Sequence, residues 1–496
     1  MMQKKFVKNL ALLLFLNLLV KPFWILGVDR KVQNIVGPEE YGFYSAILSF
    51  SFLFYILLDL GITNFNNRNI AQNTQLLRKH FAGIGTLKLL LGVFYAVIIC
   101  LIAYAWGYRG RELYLLAWVG FNQFLLSFIL YLRSNISGLL LFKTDSFLSV
   151  LDRVLMIVIV GILVWTSLFS IKFSIEWFVY SQTLAYAVTA IVALIAVLNK
   201  SGRLHLNWNT TFFIVIIKKS LPFALLVLLM SFYNRIDPVL IKKLLPGDVG
   251  DYQAGVYAQA FRLLDAGQNF ALLFSVLLLP IFSKMIKEGN PVNDIIKLSF
   301  SILISGAIII AITSGFFASE IMNLMYHRFE TETAAEFALR ISQSSTILTI
   351  LMFSFVAISS NYIFGTLLTA NKSLKSLNLI ALVGLLTNII VNLIFIPQFM
   401  AIGSAWASLL AQGGSAILQM WVAIKIFKIK VNYKFIFKFF WLVTLLLLVG
   451  YFITNYVQIN WIISMSIMIV GGLAFAFIIR LLDIKGMIKI LKSDEL

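Results

Sequence analysis

Apolar runs about twenty residues long recur along almost the whole chain, and they constrain its fold more than any other feature. A helix needs about 20 apolar residues to cross a hydrocarbon core of about 30 Å. Inside that core every backbone polar group needs a partner within the protein, which a helix provides. With 60% hydrophobic and 12% charged residues and a mean hydropathy of +0.93, the sequence predicts an all-α integral membrane protein.

The apolar runs predict about fourteen transmembrane helices. The predicted spans are 9–29, 41–62, 82–106, 112–134, 148–169, 176–198, 212–234, 252–282, 295–317, 338–369, 376–396, 402–424, 436–455 and 459–481. With this number of spans, well over half of the 40 lysines and arginines fall on the side that carries both termini. The positive-inside rule makes that side cytoplasmic. The sequence therefore predicts a multi-pass protein of the bacterial inner (plasma) membrane with both termini in the cytoplasm.

The net charge of +19 lies mainly in these cytoplasmic segments, where it orients the chain and contacts anionic membrane lipids. No nucleic-acid partner is predicted from this charge. The histidines, His80, His205 and His327, fall in separate segments, and Cys100 is the single cysteine. The sequence contains no Gly-Lys-Ser/Thr phosphate-binding loop and no segment long enough for an ATPase or glycosyltransferase domain. We therefore expect a transporter with no metal site, no cofactor and no enzymatic activity.

Two segments of the chain resemble each other and indicate an internal repeat. Gly37–Ser45 and Gly250–Ala258 share an acidic approach and a Gly-x-Tyr-small sequence at the start of a predicted helix. Internal repeats of this kind are common in transporters. The repeat predicts two pseudo-symmetric lobes of six helices and a C-terminal helix pair. Their predicted boundaries are 1–208, 209–428 and 429–496.

Ionisable residues inside the predicted spans, or directly at the end of one, are candidates for function. Each costs at least about 2.5–3.5 kcal/mol at mid-membrane, so it normally faces a cavity or a partner. The candidates are the cations Lys21, Lys88, Arg235 and Arg262 and the acids Asp59, Asp237 and Asp265. Some of these can neutralise each other, because Arg262 and Asp265 share a helical face and Asp59 and Lys88 lie on neighbouring helices. The acids are therefore predicted as ion-pair partners or as coupling groups.

Lys21 and Arg235 are the strongest candidates for substrate binding. Neither has an acid within one helical turn, and both occupy corresponding places in the two proposed lobes. We expect them to project into a basic cleft that binds an anion such as a diphosphate, which arginine can hold through two parallel hydrogen bonds. Asp152 and Arg153 are interpreted instead as residues that reach the cytoplasmic interface.

Several motifs resemble polysaccharide flippases of the Wzx type, a family of the multidrug/oligosaccharidyl-lipid/polysaccharide exporter superfamily. Gly37–Tyr44, Leu58–Ile62 and Arg68–Ala71 are similar to the amino-terminal region of that family. Tyr233–Ile241 followed by Gly255–Tyr257 is similar to its helix 7 to helix 8 segment. At Lys242 and Lys243 the sequence departs from the small apolar pair that is frequent in the family.

The resemblance implies a V-shaped transporter that works by alternating access. It implies that the cargo is an undecaprenyl-diphosphate-linked oligosaccharide, moved from the cytoplasmic to the periplasmic leaflet for surface polysaccharide such as the O-antigen of lipopolysaccharide. A polysaccharide polymerase and chain-length proteins would be partners. Cavity charges tend to matter in this family, which favours Arg235, Asp237, Arg262 and Asp265.

Three alternatives remain open at the level of the sequence. A cation-coupled multidrug or small-molecule exporter of the same superfamily usually takes cationic cargo and would favour an acidic cavity. A lipid II flippase of peptidoglycan synthesis is closely related in chemistry. A membrane-embedded glycan polymerase or ligase would need a catalytic periplasmic loop, and the longest candidate, residues 318–337, is interpreted as a solvated loop.

Overall fold

The computed structural model describes residues 15–482, except 18, 64–65, 68–69, 71–73, 140, 166–172, 202–207, 430–431 and 458. These described residues form helices and no strand, which confirms the predicted all-α class. Among them, nine helices are long and apolar enough to cross a membrane, or ten if the bent pair Ala224–Arg235 and Asp237–Leu244 is one span. The number of fourteen crossings stays a prediction.

The chain divides into two compact units, Met1–Gly255 and Val256–Leu496. The helices of the first unit are α1 (Arg30–Leu53), α2 (Leu76–Trp106), α3 (Arg111–Gly138), α4 (Phe142–Trp165), α5 (Ile175–Ser201), α6 (Thr210–Arg235) and α7 (Asp237–Leu244), followed by the start of α8 (Gly247–Glu288). The second unit continues α8 and contains α9 (Asn293–Phe316), α10 (Ala318–Met325), α11 (Ala334–Ala370), α12 (Leu374–Phe427), α13 (Tyr433–Tyr456) and α14 (Trp461–Ile478). The predicted lobe boundaries at 208 and 428 stay predictions.

The first two predicted spans are joined without the expected loop. A π-helical segment, Trp24–Asp29, runs directly into α1, in which Gly37 is the one residue with non-helical torsion angles (φ 86°, ψ 167°). Glycine adopts positive φ at little cost, and Pro38, which has no N–H to donate, is suited to begin the next helical segment. The chain therefore bends within one residue, and residues 30–40 are helical where a loop is predicted.

Helix α1 ends in a break that positions Asp59. Residues Tyr55–Leu58 form a 3-10 turn, and Leu60 and Gly61 have positive φ values of 47° and 81°. Among the described residues the helices are also broken at two later points. The axis bends by 50° between α6 and α7, and α12 is kinked near Pro397, where Met400 has a φ of 53°. Broken helices place main-chain polar groups inside a membrane protein only where other groups satisfy them.

The C-terminal helices α13 and α14 pack on α9 within the second unit. Leu442 and Leu446 of α13 and Met468 of α14 form a buried cluster with Ile309 and Ile312 of α9. In a membrane such side chains hold helices together through close van der Waals packing, because the surrounding lipid is as apolar as they are. Helices α13 and α14 therefore pack against α9 within the second unit.

The segment 318–337 is more ordered than a solvated loop. Its first half forms α10, and the side chain of Glu332 is 9% exposed and paired with Arg340, which is fully buried. A capping box between Thr333 and Glu336 then starts α11. The interpretation of this segment as a solvated loop is therefore wrong for Glu332.

The two repeat segments meet through their glycines within the first unit. A Cβ on Gly42 would lie 2.9 Å from the carbonyl carbon of Asp251 and nearer still to its oxygen, and a Cβ on Gly255 would lie 2.8 Å from the Cα of Pro38. These neighbours are backbone atoms, so the helices themselves would have to separate. Glycine at both positions permits this close approach.

Alanine at Gly255 is expected to destabilise the protein by about 1–3 kcal/mol, because the added methyl overlaps backbone that has no rotamer to change. Thermal unfolding in detergent measures this effect. Gly306→Ala in α9 is the matched control, since a Cβ there meets no atom within 4 Å. Equal melting temperatures for the two variants would contradict the close packing of Gly255.

Candidate functional site

A group of charged side chains in the first unit lies within electrostatic reach of Lys21. Lys21 is half-buried, and the charges of Arg153, Asp152 and Arg133 act on it. Arg153 lies 3.7 Å from Asp152, and Arg133 donates from Nε to Asp145 at 2.8 Å. Three cations thus share two acids, which leaves the cluster with a net positive charge. Such a group of cations, partly withdrawn from water, is suited to bind an anion.

Arg153 is oriented by aromatic side chains. Its Nη1 donates to the hydroxyl of Tyr186 at 3.0 Å, and its guanidinium lies 5.8 Å from the ring centres of both Tyr186 and Trp24. Trp24 in turn stacks on Phe178, with 6.0 Å between ring centroids. Arginine is suited to this position, because its planar guanidinium can stack on rings and still donate hydrogen bonds from its edge.

The interpretation of Arg153 as an interface residue does not describe these contacts. Its side chain is 26% exposed and bonds to Tyr186, a residue of α5 that lies 33 positions away in sequence. No signal in the sequence pairs these two residues. The structure therefore adds Arg153 to the candidate site as a residue that sequence reasoning missed.

A second missed residue is Asp29, the last residue of the first predicted span and absent from the predicted candidates. It is 1% exposed, and its carboxylate accepts hydrogen bonds from the Tyr41 hydroxyl at 2.9 and 3.0 Å and from Gln33 Nε2 at 2.9 Å. The nearby hydroxyl of Tyr44 is hydrogen-bonded to Gln182. A polar network thus lies inside the first unit along the π-helical segment and α1.

Lys88 and Asp59 form the ion pair that the sequence suggests for neighbouring helices. Lys88 is 1% exposed, and it also donates to the Leu58 carbonyl and to Ser127 Oγ, both at 2.9 Å. Asp59 further accepts from the main chain and side chain of Thr63. In this structure the ammonium group is therefore fully engaged by oxygen atoms of the first unit.

Arg235 and Asp237 flank the bend between α6 and α7. Arg235 is half-buried, with its guanidinium 5.3 Å from the ring centre of Phe52. Asp237 is 1% exposed and is the first residue of α7, followed by Pro238. A carboxylate is favourable at a helix N-terminus because it faces the positive end of the helix dipole. Asp237 and Pro238 therefore begin the helix that follows the bend.

In the second unit, Arg262 and Asp265 are in contact, as their spacing predicts. The Arg262 Nη1 atom lies 3.4 Å from Asp265 Oδ2, and the side chains are 19% and 13% exposed. This pair is longer than an ideal charge-assisted hydrogen bond of about 2.7–2.9 Å. The substrate roles of both residues stay predictions.

The unusual lysine pair of the sequence takes part in an ion-pair network of the first unit. Lys242 lies 2.6 Å from Asp251 and 3.2 Å from Glu112, and Lys243 donates to the carbonyl of Trp106 at 2.7 Å. Arg111, which precedes Glu112, forms a bidentate pair with Glu40 at 2.6 and 2.8 Å and also donates a hydrogen bond to Glu176. The network ties the starts of α3, α5 and α8 to α1 and α7.

Within the part of the chain that the structure describes, no three His, Cys, Asp or Glu side chains come together as metal ligands would. The only free cysteine of the described residues is the exposed Cys100. The site residues above are charged and aromatic side chains suited to binding rather than to covalent chemistry.

Comparisons with solved structures identify the fold. The chain is similar to a lipid II flippase MurJ in an inward closed conformation, with a TM-score of 0.67 and 16% identity over 94% of this chain and 98% of that one. It is also similar to an inward-facing multidrug resistance MATE family transporter of the MOP superfamily, with a TM-score of 0.62 and 18% identity over 82% and 94%. A third similar structure is a MOP superfamily transporter from Pyrococcus furiosus, described as having a binding pocket of reverse polarity, with a TM-score of 0.56 and 15% identity over 85% and 95%.

Comparisons of the sequence identify the family. No curated protein matches the chain. A family model described as polysaccharide biosynthesis protein matches residues 6–286, which is more than half of the chain. The matched range contains all of the charged residues singled out from the sequence. The protein therefore belongs to the family of polysaccharide biosynthesis proteins, and it has the fold of MOP superfamily transporters.

Proposed function

We propose that this protein is a flippase that moves undecaprenyl-diphosphate-linked oligosaccharide repeat units from the cytoplasmic to the periplasmic leaflet. The observation that carries this proposal is the net positive cluster of Lys21, Arg153 and Arg133 in a chain of the polysaccharide biosynthesis family. The cargo combines a diphosphate, an apolar chain and a glycan. The protein contributes cationic groups that bind the diphosphate. It acts as a transporter rather than as an enzyme.

The diphosphate is the part of the cargo that the cluster fits. Arg153 is already oriented by its hydrogen bond to Tyr186 and by the rings of Trp24 and Tyr186, whose centres lie 5.8 Å away. Its remaining N–H donors can therefore reach two phosphate oxygens without a large loss of side-chain freedom. Lys21 supplies a second positive charge beside it. Binding an anion would relieve the mutual repulsion of Lys21, Arg153 and Arg133, which adds to the attraction.

The membrane potential supplies a driving force for such a cargo. A diphosphate with about two negative charges gains roughly 2 × 2.3 kcal/mol per 100 mV when it leaves a negative cytoplasm. Alternating access in the bacterial inner membrane, with both termini cytoplasmic, is part of the same proposal. Its product would pass to a polysaccharide polymerase and chain-length proteins that build surface polysaccharide such as O-antigen.

Arg235 in the first unit and Arg262 in the second unit are each proposed to contact the cargo during transport, and Asp237 and Asp265 are proposed as the acids that balance them. Arg262 and Asp265 are close enough to exchange an ion pair for a substrate contact, because the 3.4 Å separation leaves their hydrogen bond weak. Lys88 is engaged by three oxygen atoms, so its proposed role in substrate binding requires that the pair with Asp59 opens.

A lipid II flippase is the second candidate, because the structure similar to this chain over 98% of its own length is described as one. Both cargoes carry a diphosphate on a polyprenyl chain and differ in the glycan. A multidrug exporter fits less well, since a cluster with net positive charge repels cationic cargo.

Flipping in proteoliposomes tests the proposal. Vesicles are loaded with a fluorescent undecaprenyl-diphosphate sugar, and the transfer between leaflets is followed under an imposed potential of either sign. We expect transfer that accelerates when the cytoplasmic face is negative and slows when the sign is reversed. Preference for lipid II over oligosaccharide substrates would select the second candidate, and export of a small organic cation without any flipping would reject both.

A further inference from the structure

The break after α1 leaves a main-chain carbonyl deep inside the first unit without its helical partner. In a continuous helix the Leu58 oxygen would accept from the N–H of Ile62, but that N–H donates to the Asp59 oxygen at 2.8 Å instead. The positive φ values of Leu60 and Gly61 cause this change of partner. A buried carbonyl needs another donor, so the break creates a demand for one.

Two side chains meet this demand: Lys88 Nζ donates to the Leu58 carbonyl, and Ser127 Oγ donates to it at 3.1 Å. The ammonium group of Lys88 donates to the Leu58 carbonyl and to Ser127 Oγ, each at 2.9 Å, and it forms the ion pair with Asp59. An ammonium group has three N–H donors, so its hydrogen-bonding capacity is used completely. Lys88, Ser127 and Leu58 are all nearly inaccessible, with exposures of 1%, 2% and 1%.

The oxygen atoms around this ammonium are also suited to a metal cation. They comprise a main-chain carbonyl at a helix break, a carboxylate and a hydroxyl, and hard cations prefer such oxygen ligands. Carbonyls at broken helices coordinate Na⁺ in membrane transporters. One carboxylate balances one monovalent charge, which matches Na⁺ as well as it matches an ammonium group.

We propose that Leu58, Asp59 and Ser127 form a monovalent cation site, which the ammonium group of Lys88 occupies as a tethered cation. Because the lysine is covalently attached, this cation does not exchange with the solution, and Asp59 has a counter-charge whenever the pair is closed. Shortening the lysine side chain opens the site, and Na⁺ with accompanying water then binds to the same oxygen atoms. This inference is independent of the proposed cargo.

The test compares thermal unfolding of purified Lys88→Ala and wild-type protein in sodium chloride and in choline chloride of equal ionic strength. We expect sodium to raise the melting temperature of the variant by about 2–4 °C more than that of the wild type, as saturation of a new site predicts. The variant lacks the large side chain and keeps all three oxygen ligands. Lys425→Ala, at an exposed lysine of α12, is the control and should respond as the wild type does.

Two further variants locate the response. In the Lys88→Ala background, Asp59→Asn is expected to abolish the effect of sodium, and Ser127→Ala is expected to shift it to higher sodium concentration. Equal responses of Lys88→Ala and wild type would overturn the proposal. Failure of Lys88→Ala to fold in sodium would overturn it as well, because the proposal requires that the ion replaces the ammonium group.

Discussion

Replacing Arg153 by glutamine is expected to slow the flipping of an undecaprenyl-diphosphate sugar by about 10- to 100-fold. The range corresponds to the loss of a charge-assisted hydrogen bond of about 1.5–3 kcal/mol that is made when the diphosphate is bound. Glutamine keeps a donor that can reach the hydroxyl of Tyr186, so the packing of α4 on α5 is retained while the charge is lost. Proteoliposome flipping at fixed potential measures the rate, and the melting temperature verifies the fold.

Lys21→Met and Lys425→Met form the matched pair for this prediction. Both remove one lysine charge, but Lys21 lies in the cluster with Arg153 whereas Lys425 is exposed near Trp421. We expect Lys21→Met to reduce flipping in the same direction as Arg153→Gln and Lys425→Met to leave it unchanged. Flipping at the wild-type rate in both Lys21→Met and Arg153→Gln would reject the cluster as the diphosphate site and leave the fold unaffected.

The helical class was predictable because a chain this apolar lies in the membrane, where a helix satisfies every backbone polar group within its own segment. The pairing of Asp59 with Lys88 and of Arg262 with Asp265 was also predictable, because an isolated charge is too costly at these depths. The helix borders were harder to predict. Residues 30–40 are polar enough to suggest a loop, yet Gly37 alone makes the turn, and its positive φ has no signature beyond the Gly-Pro pair.

The candidate site was predicted only in part, because it depends on which helices are neighbours. The position of Lys21 in the chain identifies it as a candidate, but the sequence does not identify the charged side chains that lie near it. The sequence predicts that Arg153 reaches the cytoplasmic interface, whereas the packing of α4 against α5 brings it to Tyr186. Asp29 was missed for the same reason, since its partner Tyr41 lies on the far side of the Gly37 bend. The local sequence shows which charged residues are costly in the membrane and how far apart they lie along a helix. The packing of the helices decides which side chain each of them contacts.

Arg340 is the residue of the second unit whose removal is expected to affect stability most. It is fully buried, and its Nε and Nη2 atoms donate to the two oxygens of Glu332, each at 2.8 Å, while Nη2 also donates to the His327 carbonyl at 3.0 Å. Phe329 and Phe337 lie with their ring centres 5.0 and 5.2 Å from the guanidinium. Together these contacts fasten the end of the 318–337 segment to α11.

Arg340→Met is expected to destabilise the protein by about 3–5 kcal/mol and to lower its melting temperature by about 10 °C, because it leaves the carboxylate of Glu332 buried and unpaired. Adding Glu332→Gln should recover part of the loss, since the remaining partner is then neutral. The exposed Arg328, in the same segment, provides the control Arg328→Met, with an expected change within about 0.5 kcal/mol. Thermal unfolding monitored by tryptophan fluorescence measures the wild type, Arg340→Met, Glu332→Gln, the double variant and Arg328→Met. A double variant as unstable as the sum of the two single changes would show that Arg340 stabilises the unit by packing alone, rather than through its charge pair with Glu332.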